Sequence, residues 1–453
     1  MGFGISASVK KIIRGPQATQ YALLVTPVPE VNVLLKKKKA LAERLGVQSI
    51  RLVFPIPGTS LIGLEIPKEK AAPVSLRELL GKMTHAIEDS ITCIPIGKDM
   101  QGQSVFCDIS DFPHALIAGR SGAGQTAFLC QIILSLLCRT APEQARLLLI
   151  DPTEKEFTAF TNIPHLVSNV ITDARQGVSA LWWLVEELSR RYQLFQWEGV
   201  RNIEGYNFKK PKQRLPALVT VVSELGDLMD TDRKSTEHAL QRLAALARAA
   251  GIYLLLATQR LDVGTITGVV KANVPSRIAF AVQDKNQSRA IIDSCGAEDL
   301  IGAGDMLYFP RSEFRPIRVQ ACSLSEEEIK DVLQDITLHN APCAFLLTSE
   351  ELYKSQERIK QAALLRTDAT APVLSDEECL ERAIDIARKE GEISASKLRR
   401  RLQISASHAG RIIDLMLEMG CLASEEGSAY YKWDDSAERN VVDISTWKHA
   451  KRT

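Results

Sequence analysis

The stretch His114–Leu137, HALIAGRSGAGQTAFLCQIILSLL, decides the fold. Ala115–Ala118 reads as a short apolar strand, GRSGAGQT as a glycine-rich turn, and the remainder as an apolar helix. The turn has the spacing G-x-x-x-x-G-x-T, with Gly119, Gly124 and Thr126 where a phosphate-binding P-loop needs them. Glycines let backbone N–H groups close around phosphate oxygens, and the helix N-terminus adds partial positive charge. Position 125, where the motif carries lysine, is glutamine. The loop is shaped for a triphosphate but lacks its principal cation. The bland alternative is a plain strand–helix turn.

Outward from this stretch, further short apolar runs alternate with helical segments. RLLLID (Arg146–Asp151), ALVTVV (Ala217–Val222), YLLLAT (Tyr253–Thr258) and RIAFAV (Arg277–Val282) suit parallel strands buried on both faces, with helices as crossovers. The pattern predicts a RecA-like doubly wound sheet over residues 96–325. Ligands of such sheets bind beyond the carboxyl ends of the strands, where the P-loop, Ser223–Glu224 and Thr258–Gln259 would converge.

The flanks differ in character. Residues 15–95 read as a small α/β domain: a strand YALLVT (Tyr21–Thr26), a helix Val33–Leu45 ended by Gly46, and strands SIRLVF and LIGLEI around the turn IPGTS. The run Lys36–Lys39 is either a basic patch or a solvated helix face. Residues 326–375 are polar and helical, then linker-like at TDATAPVLS. Residues 376–434 give three helices and a hairpin, the pattern of a winged helix. Its third helix, SASHAGRIIDLMLEMG, is capped by Ser405 and ended by Gly420.

Composition narrows the classes. A chain of 453 residues implies two to four domains, and 45% hydrophobic with 25% charged residues is a globular balance. The net charge of +1 supplies no bulk field toward nucleic acid, so any DNA contact must come from local patches or from a ring made by assembly. Nine cysteines form no CxxC pair and no metal-ligand spacing, which points to a reduced, cytoplasmic setting. No apolar run has the length of a membrane span, and MGFGISASVKKIIRG lacks the apolar core of a signal peptide.

A dispersed set of motifs resembles the motor of the FtsK/SpoIIIE DNA translocases. They are IDP (Ile150–Pro152), NIPHLVSNVITD (Asn162–Asp173), RRY (Arg190–Tyr192), GVRNIEGYN (Gly199–Asn207), RAAGIYLLLATQR (Arg248–Arg260), ITGVVKANVPSRIAF (Ile266–Phe280) and GAGDMLY (Gly302–Tyr308). The resemblance covers nearly the whole chain, with the family's α, β and γ pieces in order. The family's membrane-spanning N-terminus has no counterpart in this sequence, so septal anchoring is not carried over. The resemblance implies an ATP-dependent hexameric ring, of this chain or with a paralogue, that threads double-stranded DNA. Its γ winged helix would read short DNA sequences and, in some members, touch a site-specific recombinase.

The resemblance also assigns roles. Residues Gly119, Arg120, Ser121, Gly122, Ala123, Gly124, Gln125, Thr126 and Ala127 would hold ATP, with Thr126 on Mg²⁺. Gln125 stands for the P-loop lysine that stabilises the leaving phosphoryl group. A neutral hydrogen bond contributes roughly 0.5–1.5 kcal/mol against 1.5–3 for a charged one, so binding weakens by about 1–2 kcal/mol. Ser223 stands for the aspartate of the Walker B pair that orients Mg²⁺, and Glu224 for the glutamate that activates water. Gln259 matches the sensor on the strand beside the P-loop. Two charge losses in one site imply weak or absent hydrolysis, with ATP and Mg²⁺ both held less firmly. Drift produces this pattern, and so does selection for a silent subunit.

The cations meant for DNA are kept. Arg248 matches the arginine finger that reaches a neighbouring subunit's site, and Arg260, Lys271, Lys285 and Arg289 match pore-loop residues that touch the DNA backbone. Phosphate contacts need only cations at the right radius. In the winged helix, Ser407, His408 and Arg411 would face DNA while Ala409, Ile412, Ile413, Met416 and Met419 are buried. His408 stands where family members usually carry arginine, which leaves the target sequence open. A winged helix used for protein contact is the alternative, as is a catalytically silent pseudo-ATPase acting with an active paralogue.

Overall fold

Strand β7 (His114–Ala118) lies inside a nine-stranded sheet, and its five buried residues leave no polar face. The structure is a computed structural model that describes residues 6–26, 30–47, 49–56, 58–83, 90–111, 114–310, 315–341, 343–355, 357, 376–402, 406–424 and 431–433. The Ser405 cap, the TDATAPVLS linker and the segment after Asp434 fall outside them. The chain divides into two compact units, residues 1–359 and 360–453.

In chain order the first unit begins with β1 (Ser6–Arg14), β2 (Ala18–Thr26), α1 (Glu30–Lys36), α2 (Lys38–Arg44), β3 (Arg51–Val53), β4 (Ile62–Pro67) and α3 (Leu76–Leu80). Then come β5 (Cys93–Asp99), β6 (Ser104–Asp108), β7, α4 (Gln125–Leu137), β8 (Ala145–Ile150), α5 (Ala174–Glu198), α6 (Ile203–Lys209), β9 (Ala217–Val222), α7 (Leu225–Leu246) and β10 (Ile252–Thr258). It continues with α8 (Gly268–Asn273), β11 (Ser276–Phe280), α9 (Lys285–Ile292), β12 (Asp305–Phe309), β13 (Ile317–Gln320) and α10 (Glu326–His339).

The large sheet runs β6-β5-β13-β12-β11-β7-β10-β9-β8. From β11 to β8 all neighbours are parallel, the RecA-like core the apolar runs predict. The other four strands are antiparallel, which the sequence reading did not foresee. They are short or interrupted: β5 contains Pro95 and Gly97, and β13 is four residues long with a buried Arg318. Register puts Thr258 beside Ala118, and Val222 beside both Leu256 and Ile150, so four strand ends open on one edge. Helix α4 is buried along most of its length by Phe128, Leu129, Ile132, Ile133 and Leu136. Each such side chain is worth roughly 1.5–3 kcal/mol of burial, which fixes the helix and hence the turn before it.

The small sheet is antiparallel in the order β1-β2-β4-β3. Strands β3 and β4 form the hairpin read from the sequence. The expected helix Val33–Leu45 is two helices, broken at Lys37 (φ −93°, ψ 10°). Strand β1 was not anticipated. Most of it is exposed on both faces, so its sequence SASVKKIIR has no alternation to read.

The second unit holds α11 (Asp376–Glu390), β14 (Glu392–Ile393), α12 (Ala395–Leu402), α13 (Ala406–Glu418), β15 (Leu422–Ser424) and β16 (Tyr431–Trp433). This is a winged helix, with the hairpin β15–β16 joined by the additional strand β14. Ala409, Ile412, Ile413 and Met416 are buried, and Met419 is partly buried.

Candidate nucleotide site and DNA-facing residues

The P-loop is built by close approach. A Cβ on Gly119 would stand 2.6 Å from Cβ of Phe280 in β11. Gly124 has φ +110°, and a Cβ there would lie 2.4 Å from the backbone nitrogen of Gly304. The Gly304 N–H donates to Ala123 O at 2.9 Å, so the GAGDMLY segment straps the turn from outside. Gly124 is the N-cap of α4 and offers no side-chain cap, which leaves N–H groups of the first helical turn toward the loop. Arg120, Ser121 and Gly122 are exposed, and Thr126 and Ala127 are half-buried. Such a cradle fits an anion.

Gln125 does not face outward. Its side chain is 5% exposed, and Nε2 donates to Ile117 O at 3.1 Å and to Thr258 O at 2.9 Å. The amide therefore clamps the ends of β7 and β10. Both N–H donors are occupied, and Oε1 is buried without a partner among the described residues. A lysine has a third donor and a full charge; an amide has neither.

Ser223 follows β9 and donates through Oγ to Asp151 Oδ1 at 2.7 Å. Asp151 follows β8, is 1% exposed, and also accepts from Thr153 Oγ1, Glu156 N and Phe157 N. Burial raises its pKa, but the bonds from Ser223, Thr153 and the two amides outweigh this and hold it below the usual carboxylate range. A buried anion thus stands directly behind the serine. Sequence reading gave Asp151 no role, although the adjacent ends of β8 and β9 were the available signal. Thr126 and Ser223 are the side chains that could face a Mg²⁺ ion. Mg²⁺ commonly takes few protein ligands beside phosphate oxygens and water. Among the described residues no group of three or more His, Cys, Asp or Glu is arranged to hold a metal ion.

Glu224 is the N-cap of α7, 7% exposed and held by three donors. Oε1 accepts from Gly226 N at 2.9 Å and from Thr258 Oγ1, and Oε2 accepts from Gln259 N at 2.9 Å. The structure thus brings the P-loop, Ser223, Glu224 and Gln259 to one edge of the sheet. Arg248 is elsewhere. It precedes β10, on the order of 20 Å of strand away, and is exposed with Asp111 at 3.2 Å.

The strap itself is anchored deeply. Asp305 Oδ2 accepts from Ile301 N at 3.0 Å, and Arg318 donates to both Asp305 oxygens at 2.9 and 2.6 Å. Arg318 Nη1 also donates to Glu65 Oε2 of β4 at 2.5 Å. The small sheet is thereby joined to the P-loop through three buried charges.

Three of the four cations expected to face DNA form one neighbourhood. Lys285 and Arg289 are on α9, and Lys271 Nζ on α8 reaches Arg289 O at 3.3 Å. Lys271 is also paired with Asp293. Arg260 is held by Asp227 at 2.5 Å and by Asp230, both on α7. Retained charge is therefore not the same as free charge: among the described residues only Lys285 and Arg289 of the four have no ion-pair partner. Arg411 is exposed on α13; the side chains of Ser407 and His408 lie outside the described residues.

Family comparison agrees along the chain. The FtsK alpha domain matches residues 1–68, the FtsK/SpoIIIE family residues 75–263 and the FtsK gamma domain residues 375–430. The DNA translocase FtsK of Caldanaerobacter subterraneus subsp. tengcongensis is 39% identical over 426 residues, 94% of this chain and 58% of that protein. The DNA translocase SpoIIIE of Bacillus subtilis is 37% identical over 437 residues, 94% of this chain and 53% of that protein. The chain spans little more than half the length of these curated relatives. Among solved structures, the pCW3 conjugation coupling protein TcpA with ATPγS superposes with TM-score 0.52 at 22% identity, covering 73% of this chain and 93% of that one. The cytoplasmic domain of the Thermomonospora curvata type VII secretion ATPase EccC gives 0.53 at 20% identity, covering 61% and 36%. These two share the fold. Among the described residues no helix is long and apolar enough to cross a membrane.

Proposed function

Because the chain belongs to the FtsK/SpoIIIE family, we propose that it binds ATP and double-stranded DNA as a ring translocase of chromosome or DNA segregation, with ATP hydrolysis slowed or lost. The observation that carries the loss is Gln125, whose two amide donors are occupied by Ile117 O and Thr258 O. A neutral side chain tied to two backbone carbonyls does not neutralise charge on a transferring phosphoryl group. Binding depends more on the backbone cradle, so affinity falls less than turnover. When bound, Mg²⁺ would supply charge stabilisation to the phosphates; Thr126 and Ser223 are the side chains that would face it.

A second reading is favoured by Arg248. It is exposed, lies far along β10 from its own P-loop, and among the described residues is paired with an exposed Asp111. A silent subunit that donates this arginine to an active paralogue in a hexameric ring would keep such a residue while losing its own lysine.

The test is nucleotide affinity of the purified chain by a fluorescent ATP analogue, alongside ATP turnover with and without duplex DNA. Micromolar binding with turnover near background supports the proposal. Robust DNA-stimulated turnover that Glu224→Ala abolishes overturns it. Mixing with an active paralogue separates the two readings: stimulation lost in Arg248→Ala supports the silent subunit.

A further inference from the structure

Charge is unevenly divided along this chain. Residues 1–74 hold eleven lysines and arginines against four acids, a net +7, so the remaining 379 residues carry −6 of the chain's +1. One of the four acids, Glu65, is buried and occupied by Arg51 and Arg318. Another, Glu30, lies outside the described side chains. Glu43 and Glu69 are exposed.

The cations are placed where solvent reaches them. Strand β1 is the edge of the small sheet and carries Lys10, Lys11 and Arg14, all exposed. Lys36 ends α1 and Lys39 lies in the first turn of α2, both exposed. Among the described residues none of these five has an ion-pair partner, whereas Lys38 is tied to Asp299 of the large-sheet region.

We infer that the small N-terminal domain, through the exposed Lys10, Lys11 and Arg14 of its edge strand and the exposed Lys36 and Lys39 of α1 and α2, is a second contact surface for the phosphate backbone of duplex DNA. The inference rests on the duplex-binding part of the proposed function and adds a site apart from Lys271, Lys285 and Arg289 on helices α8 and α9. Its logic is electrostatic. The five cations are exposed and spread over β1, α1 and α2, an arrangement of surface charge and not of a chelating pocket for a small phosphate. A line of fixed charge suits them better, because each neutralised phosphate releases counterions and the gains accumulate. An anionic membrane surface is the less favoured occupant. Helices α1 and α2 have seven residues each; Leu34 and Ala42 are turned into the small domain, and the exposed Val33 and Leu35 of α1 are too few to make an apolar face. An interfacial helix needs a long apolar face.

The experiment measures full-length chain on a fluorescent duplex of mixed sequence by anisotropy, across a salt series. The variant carries Lys10→Gln, Lys11→Gln, Arg14→Gln, Lys36→Gln and Lys39→Gln, with thermal melting to confirm folding. Each contact removed should flatten the slope of log affinity against log salt by about 0.9. A reduction of about 2 or more, with at least tenfold weaker binding at low salt, is the expected result. Lys285→Gln with Arg289→Gln serves as the comparison. If that pair weakens binding while the five-site variant keeps the wild-type slope, the inference is overturned and the proposed function stands. If the wild-type chain binds no duplex, both fall. If the five-site variant loses binding to phosphatidylserine vesicles but not to duplex, the surface is a membrane contact and the inference is overturned.

Discussion

Gln125 Nε2 donates to the carbonyl oxygen of Thr258 at 2.9 Å, joining the first residue of α4 to the last residue of β10. The position that the P-loop motif reserves for a catalytic cation has become a structural clamp. Replacing it has two separable consequences. Gln125→Ala leaves Ile117 O and Thr258 O without that donor in a buried site, at a cost of about 1–3 kcal/mol per unsatisfied group. Chemical denaturation should show a loss of that order, and ATP turnover of the variant should stay within a few-fold of wild type if the amide plays no part in the chemistry.

Gln125→Lys runs the other way. A lysine has donors for the backbone carbonyls and a charge for the phosphates. Oxyanion-type stabilisation by one group is worth about 10²–10³ in rate when the rest of the site is intact. Ser223 is still neutral here, so a smaller gain, on the order of tenfold, is expected in DNA-stimulated turnover. No gain in Gln125→Lys, combined with a gain in Gln125→Lys/Ser223→Asp, would assign the block to the serine.

Ser223→Asp places a second carboxylate within reach of Asp151, which now accepts from the serine at 2.7 Å. Two carboxylates sharing a site cannot both ionise cheaply, and one pKa rises. The variant should be less stable than wild type at neutral pH and recover as pH falls and one carboxyl takes a proton. Mg²⁺ should also restore it. Wild-type Asp151 behaves oppositely: its folded pKa is lowered, so its contribution is present above the ordinary carboxylate pKa and is lost as pH falls through the folded value. Melting temperature against pH, with and without Mg²⁺, distinguishes the two.

The five parallel strands were legible because each is a continuous apolar run, as in LVTVV or LLLAT, and needs no partner to be recognised. The P-loop was legible from glycine spacing. The direction of Gln125 was not, because burial of an amide depends on carbonyls of Ile117 and Thr258, 8 and 133 residues away. Neither was the pairing of Arg260 with Asp227 and Asp230, since a sequence shows that a charge is present and not whether it is neutralised. Strand β1 escaped because an edge strand exposed on both faces carries no hydrophobic period.

His114 opens β7, is 1% exposed, and has its pKa pushed down to about 4 by burial, which outweighs the backbone of Leu243. The folded chain resists protonating it, while the unfolded chain protonates near pH 6.5. Stability should therefore be full above pH 6.5 and decline between about 6.5 and 4, by roughly 3 kcal/mol if this group acts alone. His114→Phe should flatten that part of the pH–stability curve, read by denaturant melts at successive pH values.

Arg318 bridges Glu65 and Asp305, and Asp305 fixes the strap that presses on Gly124. All three side chains are buried, so breaking one pair leaves an uncompensated charge, at a cost of about 3–5 kcal/mol. Glu65→Gln should show that loss in denaturant melts. Glu65 has a folded pKa below its ordinary value: burial raises it, but the charges of Arg51 and Arg318 and their hydrogen bonds prevail. Its stabilisation is thus complete above the ordinary glutamate pKa and disappears as pH drops through the folded value, a dependence that Glu65→Gln should remove. Asp305→Asn reports on the strap itself. It weakens the hold on Ile301 N and on Arg318, so hydrogen exchange at residues 120–126 should accelerate more than exchange in β8 or β9. Equal acceleration across all three regions would mean that Asp305 stabilises the fold generally and does not act on the P-loop.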